Sequence, residues 1–262
     1  MKKENTNLKI SELNKEFQNT DYVDKKDLRN FYFQYNPYLT DQDFRRILYA
    51  LEKEEVISST GSGVFYFTGN ENPPKKKYIP SPSQSLQDLN RTFKETFPYL
   101  KYLVWETRIF NEFMLLQSGQ NLIILDVEKG TEDSVFNQLN EAYSGKVFLN
   151  PNSLTMERYV QALPEAILIS ALISQTPMGN KVQEIPYAPI EKILVDVLVD
   201  DKKFFAFRGN ELVSIYNGLF NSYLIDENSL FRYARRRKAT DKVKKFVADK
   251  TQVEFYTQSG EK

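Results

Sequence analysis

A proline-rich stretch at residues 70–85 is the feature that most constrains how this chain folds. It holds four prolines, three serines and three consecutive lysines. Proline lacks a backbone N–H and fixes φ, so a regular helix cannot run through such a segment. We therefore predict a semi-rigid linker here. This prediction divides the chain into a first domain at residues 1–69 and a second domain at residues 86–262.

The first domain shows the order helix, helix, helix, strand, turn, strand. Apolar residues recur at helical spacing over residues 10–17, and Asp24 and Thr40 stand where the N-caps of two further helices are expected. Strands are predicted at residues 56–58 and 64–68, and glycines in the turn between them supply positive φ. This order is typical of a winged helix-turn-helix.

The third predicted helix has an apolar stripe on one side and polar residues on the other. Its expected buried residues are Phe44, Ile47, Leu48 and Leu51. Arginine can pair bidentately with guanine and glutamine with adenine, so the polar face is suited to base recognition. We predict DNA contacts from polar side chains at the start and on the outer face of this helix and in the linker: Thr40, Gln42, Arg45, Arg46, Tyr49, Lys75, Lys76 and Lys77.

Two alternatives to DNA binding stay open for this domain. Residues 1–69 carry 10 basic and 11 acidic side chains, and the predicted wing has no lysine or arginine. In the first alternative, Arg45 and Arg46 are ordinary solvated charges on a helix that only packs against the core. Winged helices also serve as protein-interaction modules, so docking of a partner protein is the second alternative.

The chain contains neither cysteine nor histidine, which excludes disulfides and thiolate chemistry and removes the commonest general base and zinc ligand. Absence of cysteine favours the cytoplasm. No apolar run approaches the roughly 18 residues that a membrane span needs, and the polar N-terminus predicts no signal peptide. We expect a cytoplasmic protein that is not an enzyme, has no cofactor and no metal, and does not bind a membrane.

The second domain alternates between helical and strand patterns. Helices are predicted at residues 86–97, 110–116, 133–143, 190–199, 211–223 and 227–238, and strands at residues 102–105, 121–127, 146–149 and 166–173. Such alternation favours a mixed sheet. The expected fold class is α+β, with an N-terminal winged helix-turn-helix and a larger C-terminal mixed α/β domain.

A magnesium-dependent nuclease is the enzymatic alternative. The strand at residues 121–127 ends near Asp126, Glu128 and Lys129, and Glu106 closes the preceding strand. Carboxylates at strand ends with a nearby lysine can hold a metal and activate water. Glu106 lies beside Asp126 only if the two strands pair in parallel. Glu128 and Lys129 are adjacent, however, so an extended strand points them to opposite faces.

Two later segments carry charges in helical patterns. Ile190, Ile193, Leu194 and Val197 form the predicted core face of one helix, and Glu191, Lys192 and Asp196 are then expected to form surface pairs. Residues 232–250 hold 9 basic and 2 acidic side chains, a net charge of +7. Such a segment can attract phosphate or an acidic protein, or it is a solvated helical tail. The candidate partner surface comprises Arg232, Arg235, Arg236 and Arg237.

Taken together, these stretches resemble the AbiEi family, the antitoxins of type IV toxin–antitoxin systems. The similar parts are the winged helix with its Pro/Lys linker, the Val-Trp-Glu-Thr sequence at residues 104–107, and the segments at residues 189–196 and 229–237. In that family, a Pro-x-Glu-Lys-x-Leu-Val-Asp helix and a later Leu-x-Arg-Tyr-Ala segment mark the C-terminal antitoxin domain.

The resemblance implies a transcriptional autorepressor that acts in abortive infection. Its N-terminal domain would bind inverted repeats in its own promoter. Its C-terminal domain would neutralise the effect of a nucleotidyltransferase-like toxin encoded nearby, often without forming a stable complex. The neutral N-terminal domain and non-basic wing depart from a strongly DNA-binding module.

Overall fold

The computed structural model describes residues 8–17, 20, 22–59, 63–67, 75–116, 118–179 and 181–255. The chain divides into two compact units. The first unit comprises residues 1–77 with 222–228, and the second comprises residues 78–221 with 229–262. Across the described residues there are ten α-helices and nine strands, so the α+β class predicted from the sequence is confirmed.

The first unit contains three helices and a three-stranded antiparallel sheet. In chain order its elements are α1 (Ile10–Glu16), β1 (Tyr22–Asp24), α2 (Lys25–Tyr35), α3 (Asp41–Lys53), β2 (Ile57–Ser59) and β3 (Val64–Phe67). The spatial order of the strands is β1-β3-β2. The expected turn at residues 60–63 lies outside the described residues except for Gly63, which has a positive φ of 79°.

The two predicted N-caps are confirmed in this unit. The Asp24 carboxylate accepts a hydrogen bond from the Asp27 N–H, and the Thr40 hydroxyl accepts one from the Asp43 N–H. Each cap satisfies a backbone donor that the first turn of a helix leaves without a partner. Behind the caps, apolar side chains of all three helices and of the sheet share one core, with Leu28 and Leu51 fully buried.

The second unit is built on a four-stranded sheet with helices around it. Its strands are β4 (Tyr102–Glu106), β5 (Asn121–Val127), β6 (Val147–Leu149), β7 (Glu165–Ala171), β8 (Lys181–Val182) and β9 (Ile185–Pro186). Its helices are α4 (Gln84–Thr96), α5 (Glu132–Ala142), α6 (Ser153–Thr155), α7 (Ile190–Val199), α8 (Asn210–Ser222), α9 (Glu227–Arg236) and α10 (Thr240–Lys250), with π-helical residues Met156–Val160 after α6.

The main sheet has the order β4-β5-β7-β6 and is mixed. Strand β5 pairs in parallel with β7 and antiparallel with β4. The carboxyl ends of β5 and β7 therefore lie at the same edge of the sheet. Six of the seven residues of β5 are buried, which agrees with the near-continuous apolar run expected of a strand that is covered on both faces.

One expectation for this unit is wrong. A helix was expected at residues 110–116, but the chain forms a short 3₁₀ turn at Thr107–Phe110 and no α-helix follows it. The reason is that the Glu211 carboxylate accepts the N–H groups of Leu115 and Leu116, at 3.0 and 3.3 Å, which a helix would have used internally.

Aromatic and aliphatic side chains fill the core of the second unit. The single tryptophan, Trp105, is fully buried on β4, with ring centroids of Phe204 and Phe110 at 5.3 and 5.9 Å. None of the helices in the described parts of the chain is long and apolar enough to cross a membrane.

Candidate functional site

The outer face of α3 carries the predicted DNA-contacting side chains of the first unit. Gln42, Arg45, Arg46 and Tyr49 are all exposed, and Tyr49 retains 68% of its accessible surface. The opposite face is buried through Phe44, Leu48 and Leu51. Because one side of α3 is anchored in the core, its polar side is held in a fixed orientation towards solvent.

Ion pairs constrain part of this face. Arg46 lies 3.3 Å from Asp43, a neighbour on the same helix. Asp41 is held by Arg29 at 2.7 Å. Among the described residues, no carboxylate lies within ion-pair distance of Arg45. Of the two arginines on this face, Arg45 is therefore the one that needs no exchange of partners to contact a phosphate or a base.

Thr40 and the three lysines occupy different settings. The Thr40 hydroxyl donates to the Asp43 carboxylate at 2.6 Å while it caps the helix, so both of its hydrogen-bonding functions are used within α3. The Lys76 backbone forms an isolated parallel bridge with Tyr223 inside the first unit. Lys76 and Lys77 are exposed, and Lys75 is half-buried.

A second candidate site is a buried charge cluster in the second unit, centred on Lys192 of α7. Lys192 is only 1% exposed. Its ammonium donates to Asp126 of β5 at 2.6 Å and to Asp196 of α7 at 2.5 Å. Lys192 and Asp196 do pair, but the predicted surface position of Glu191, Lys192 and Asp196 is wrong, since all three residues are buried. The reason is that α7 is apolar on every side and lies within the core.

Asp196 is the most heavily bonded member of the cluster. In addition to Lys192, it accepts hydrogen bonds from the Tyr233 hydroxyl at 2.9 Å and from the Arg237 guanidinium at 3.0 Å. Charged donors stabilise a carboxylate that has been removed from water. Helices α7 and α9 and strand β5 are thus linked through one network.

The protonation states of the cluster follow from its geometry. Burial alone lowers the pKa of Lys192, but the adjacent Asp126 and Asp196 carboxylates outweigh it and raise the pKa above its ordinary value. Burial, and then the charge of Asp196, also raises the pKa of Tyr233. At neutral pH Lys192 is an ammonium and Tyr233 a neutral hydrogen-bond donor. Neither group is a nucleophile in this state.

A small open pocket lies directly beside this cluster. Its polar lining includes Asp126, Asp196, Tyr233 and Arg237 from the cluster, together with Ser170, Asp200 and Lys203. The Lys203 ammonium donates to the Ser170 hydroxyl at 2.7 Å and lies 3.6 Å from the Asp200 carboxylate.

The carboxylates of the nuclease alternative do not converge. Strand β4 runs antiparallel to β5, which pairs Leu103 with Asp126 and places Glu106 opposite Ile123, so the parallel pairing that would bring Glu106 beside Asp126 does not occur. Glu106 instead accepts hydrogen bonds from the Ser83 N–H and hydroxyl and from the Asn121 amide. Within the described residues, no group of three carboxylates is placed to hold a metal ion.

The four arginines of the predicted partner surface separate into two kinds. Arg232 and Arg235 are exposed on α9. Arg236 is also exposed, and its guanidinium donates to the Ser174 hydroxyl. Arg237 is half-buried and belongs to the Asp196 network.

The segments that meet in the cluster were identified from the sequence, but the contacts between them were not predicted. Asp126 and Lys192 are 66 positions apart, and Asp196 and Tyr233 are 37 apart. One local signal was present, because Lys192 and Asp196 are four residues apart within an otherwise apolar helix. Charges in such a helix require partners from elsewhere in the core.

The comparisons with known proteins bear on the family of the chain. No curated protein matches it. A family model described as a family of unknown function, DUF6577, matches residues 43–253, which include part of α3 and every element of the buried cluster. The chain therefore belongs to the DUF6577 family.

Proposed function

We propose that the protein is a DNA-binding transcriptional regulator whose first unit is a winged helix-turn-helix. The observation that carries this proposal is α3, whose apolar side is buried in the unit while Gln42, Arg45, Arg46 and Tyr49 face solvent. A recognition helix needs this division, because one face must pack and the other must enter the major groove.

In this proposal α3 reads bases and the lysines contact the phosphate backbone. Arg45 pairs with guanine and Gln42 with adenine, as their donor and acceptor geometry permits. Lys76 and Lys77 contact phosphates, which adds affinity without sequence information. Arg46 first exchanges its contact with Asp43 for one with DNA. Because residues 1–69 are nearly neutral, affinity depends on a few contacts, not on a broad basic surface.

The deciding experiment is a fluorescence-anisotropy titration against the upstream region of the protein's own gene and a scrambled control, at two salt concentrations. We expect tight, sequence-dependent and salt-sensitive binding. Arg45→Ala with Arg46→Ala should abolish the preference for the native sequence. Lys76→Gln with Lys77→Gln should weaken binding to both sequences and reduce the salt slope by about 1 for each lysine.

A matched control removes two arginines from the second unit instead. Arg91 and Arg158 are exposed there, and their replacement by alanine changes the net charge equally. The control variant should bind like the wild type. Loss of binding in the control, or unchanged operator affinity in the α3 variant, would show that α3 is not the reading helix.

We further propose, on the resemblance to AbiEi, that the second unit is the antitoxin domain of a type IV toxin–antitoxin pair in the cytoplasm. Its toxin would be a nucleotidyltransferase-like protein encoded nearby, and the operator would be an inverted repeat. Arg232, Arg235 and Arg236 are the exposed candidates for its partner surface. Co-expression with the neighbouring toxin should restore growth, and growth arrest despite normal expression of this protein would contradict the assignment.

A protein-docking role for the first unit is the second candidate, because its surface carries several aromatic side chains. Tyr38 is 90% exposed, and Phe33, Tyr35 and Tyr49 are also exposed. Exposed aromatics are typical anchors of protein interfaces. The same titration separates the two functions, since a docking module shows no anisotropy change with any DNA at low salt.

A further inference from the structure

Positive charge is concentrated on helices α9 and α10 and on the turn between them. Residues 227–250 hold nine lysines and arginines against three carboxylates. Two of the nine cations are neutralised within the second unit, since Arg237 pairs with Asp196 and Lys242 pairs with Asp201. Seven cations remain, and they exceed the three carboxylates of this segment by four.

The seven remaining cations lie on the solvent side of the two helices and in the turn. Within the part of the chain that the structure describes, no carboxylate lies at ion-pair distance from any of them. Lys250 stands at the end of α10. The other six are all exposed and form what we call the α9–α10 basic face: Arg232, Arg235, Arg236, Lys238, Lys244 and Lys245.

The inner sides of both helices are anchored, so the basic face has a fixed orientation. On α9, Tyr233 is buried and its hydroxyl donates to Asp196 at 2.9 Å. On α10, Val243 and Val247 are buried. Lys238 adopts a left-handed φ of 52° in the turn that joins the two helices. The cations are therefore presented by a rigid helical pair.

One contact joins the charges of α10 to those of α9. The Lys244 ammonium lies 5.6 Å from the centroid of the Phe231 ring. Phe231 neighbours Arg235 on the surface of α9, because the two are four residues apart, and Arg232 is three residues before Arg235. The rise of a helix separates Arg232 and Arg235 by about 4.5 Å along its axis. Each DNA strand carries one charge per about 3.4 Å of its axis, so cations at this spacing can contact separate phosphates.

The face lacks the apolar side chains that other kinds of partner require. No large apolar side chain of α9 or α10 is exposed. Phe231 is half-buried beneath Lys244 and packs against Phe255 at 4.8 Å. Protein interfaces depend on aromatic or aliphatic anchors at their centre, and single-stranded nucleic acids bind through stacking on exposed aromatic rings. The phosphate backbone of a duplex needs only positive charge and hydrogen-bond donors.

We propose that the α9–α10 basic face binds the phosphate backbone of double-stranded DNA without sequence preference. Arg232, Arg235 and Lys244 form the centre of the contact. This activity goes beyond the proposed function, because the second unit then holds DNA by itself and does not depend on base reading by α3. It also gives the arginines of the candidate antitoxin surface a nucleic-acid partner.

The test uses the full chain without the DNA contacts proposed for the first unit. This background variant carries Arg45→Ala, Arg46→Ala, Lys76→Gln and Lys77→Gln. In fluorescence-anisotropy titrations we expect it to bind a native and a scrambled DNA duplex equally, with affinity that falls as salt is added.

Removal of the central cations from the background variant should weaken this binding. The added changes are Arg232→Gln, Arg235→Gln and Lys244→Gln. At low salt we expect a loss of at least about tenfold, and a salt slope that is smaller by about 2–3, since each phosphate contact contributes about 0.9. Circular dichroism and urea unfolding of each variant verify that the fold is retained.

The matched control removes two arginines and one lysine from other elements of the second unit. Arg91, Lys146 and Arg158 are exposed there, and their replacement by glutamine in the background variant should leave binding unchanged. An equal loss in the two triple variants would overturn the proposal, because it would indicate attraction to the whole charged surface.

Further titrations of the background variant separate duplex DNA from other polyanions. Polyglutamate represents an acidic protein, and single-stranded DNA and duplex RNA represent other nucleic acids. Binding of any of these as tightly as duplex DNA would overturn the proposal, as would no binding of duplex DNA at low salt. The first unit is judged separately, by the preference of the wild type for the native sequence, so the two functions can fail independently.

Discussion

Helices α3 and α7 both carry charged side chains at helical spacing, yet the two helices place them in opposite environments. In α3 the arginines and acidic residues lie on the solvent side. In α7 Glu191, Lys192 and Asp196 are buried, along with the rest of the helix from Ile190 to Leu198. The exposed charges remain available for a partner, whereas the buried charges must find partners inside the protein.

The difference has a cause that is visible in the composition of each helix. The apolar side chains of α3 are confined to one stripe, so its charges fall on the other side. In α7 apolar residues surround the charged ones on all sides, including Val195 and Leu198. A helix that is apolar all round is a buried helix, and any charge in it is taken into the core.

Removal of the central cation should have the largest effect on stability. Lys192→Ala leaves the buried Asp126 and Asp196 without their shared donor, and we expect the free energy of unfolding to fall by about 3–5 kcal/mol. Arg45→Ala on α3 should change it by less than about 0.5 kcal/mol. Urea unfolding followed by circular dichroism measures both. Similar losses in the two variants would mean that the two helices do not differ as described.

A combined variant sharpens this result. Lys192→Met together with Asp126→Asn and Asp196→Asn removes the three fully buried charges, and only the half-buried Arg237 loses a charged partner. It should therefore be more stable than Lys192→Ala alone, since neutral replacement of a buried ion network costs less than breaking it. If the triple variant is the less stable one, unpaired charge is not the source of the loss.

Loss of a single hydrogen bond to the cluster should have an intermediate effect. Tyr233→Phe removes the hydroxyl that donates to Asp196 at 2.9 Å. A hydrogen bond to a charged group contributes about 1.5–3 kcal/mol. The same unfolding experiment should show a decrease in this range. Tyr49→Phe on α3 is the control, because Tyr49 is largely exposed and its hydroxyl can bond to water.

Alkaline pH should destabilise the second unit through the same hydroxyl. The pKa of Tyr233 is raised in the folded state, so its stabilising contribution is complete below the unfolded pKa of about 10. This contribution falls as the pH rises from there towards the folded pKa. Between pH 10 and 11 the loss should be about 1 kcal/mol for this group, since the unfolded tyrosine is only half ionised at pH 10. The pH dependence of urea unfolding should be shallower by that amount in Tyr233→Phe.

The smallest change is expected at the start of α3. Thr40→Ala removes the side chain that accepts from the Asp43 N–H, and the loss should be about 0.5–1 kcal/mol. Thr40→Ser keeps the hydroxyl and should restore most of it. Helix α7 starts after Pro189 without a side-chain cap, so Pro189→Ala should not show a comparable capping loss. An unchanged unfolding midpoint in Thr40→Ala would show that the cap does not stabilise α3.

Local patterns predicted several elements closely. The expected bounds of residues 121–127 and 190–199 agree with β5 and α7 as observed, because both are strongly apolar and have clear ends. Strand β1 was not predicted, since its three residues are ordered by pairing with β3 some forty positions later. Helix α10 was anticipated only as an alternative, a solvated helical tail, because only Val243 and Val247 mark its buried side.

The candidate site was harder to predict from the sequence than the helices and strands that form it. The DNA-contacting residues follow from one helix, so its periodicity placed Gln42, Arg45, Arg46 and Tyr49 on the exposed side. The buried cluster depends on the direction of β4, on the pairing of β5 with β7, and on how α7 and α9 approach the sheet. These are long-range choices that local periodicity does not encode.

The burial of the single tryptophan gives the two units different optical signatures. Trp105 lies on β4 of the second unit, shielded from water and packed among phenylalanines, and the first unit contains only tyrosine and phenylalanine as aromatic residues. Indole emission excited at the red edge of absorption therefore reports the second unit alone. A denaturant titration followed by emission wavelength, beside one followed by ellipticity, resolves whether the two units melt together or in sequence.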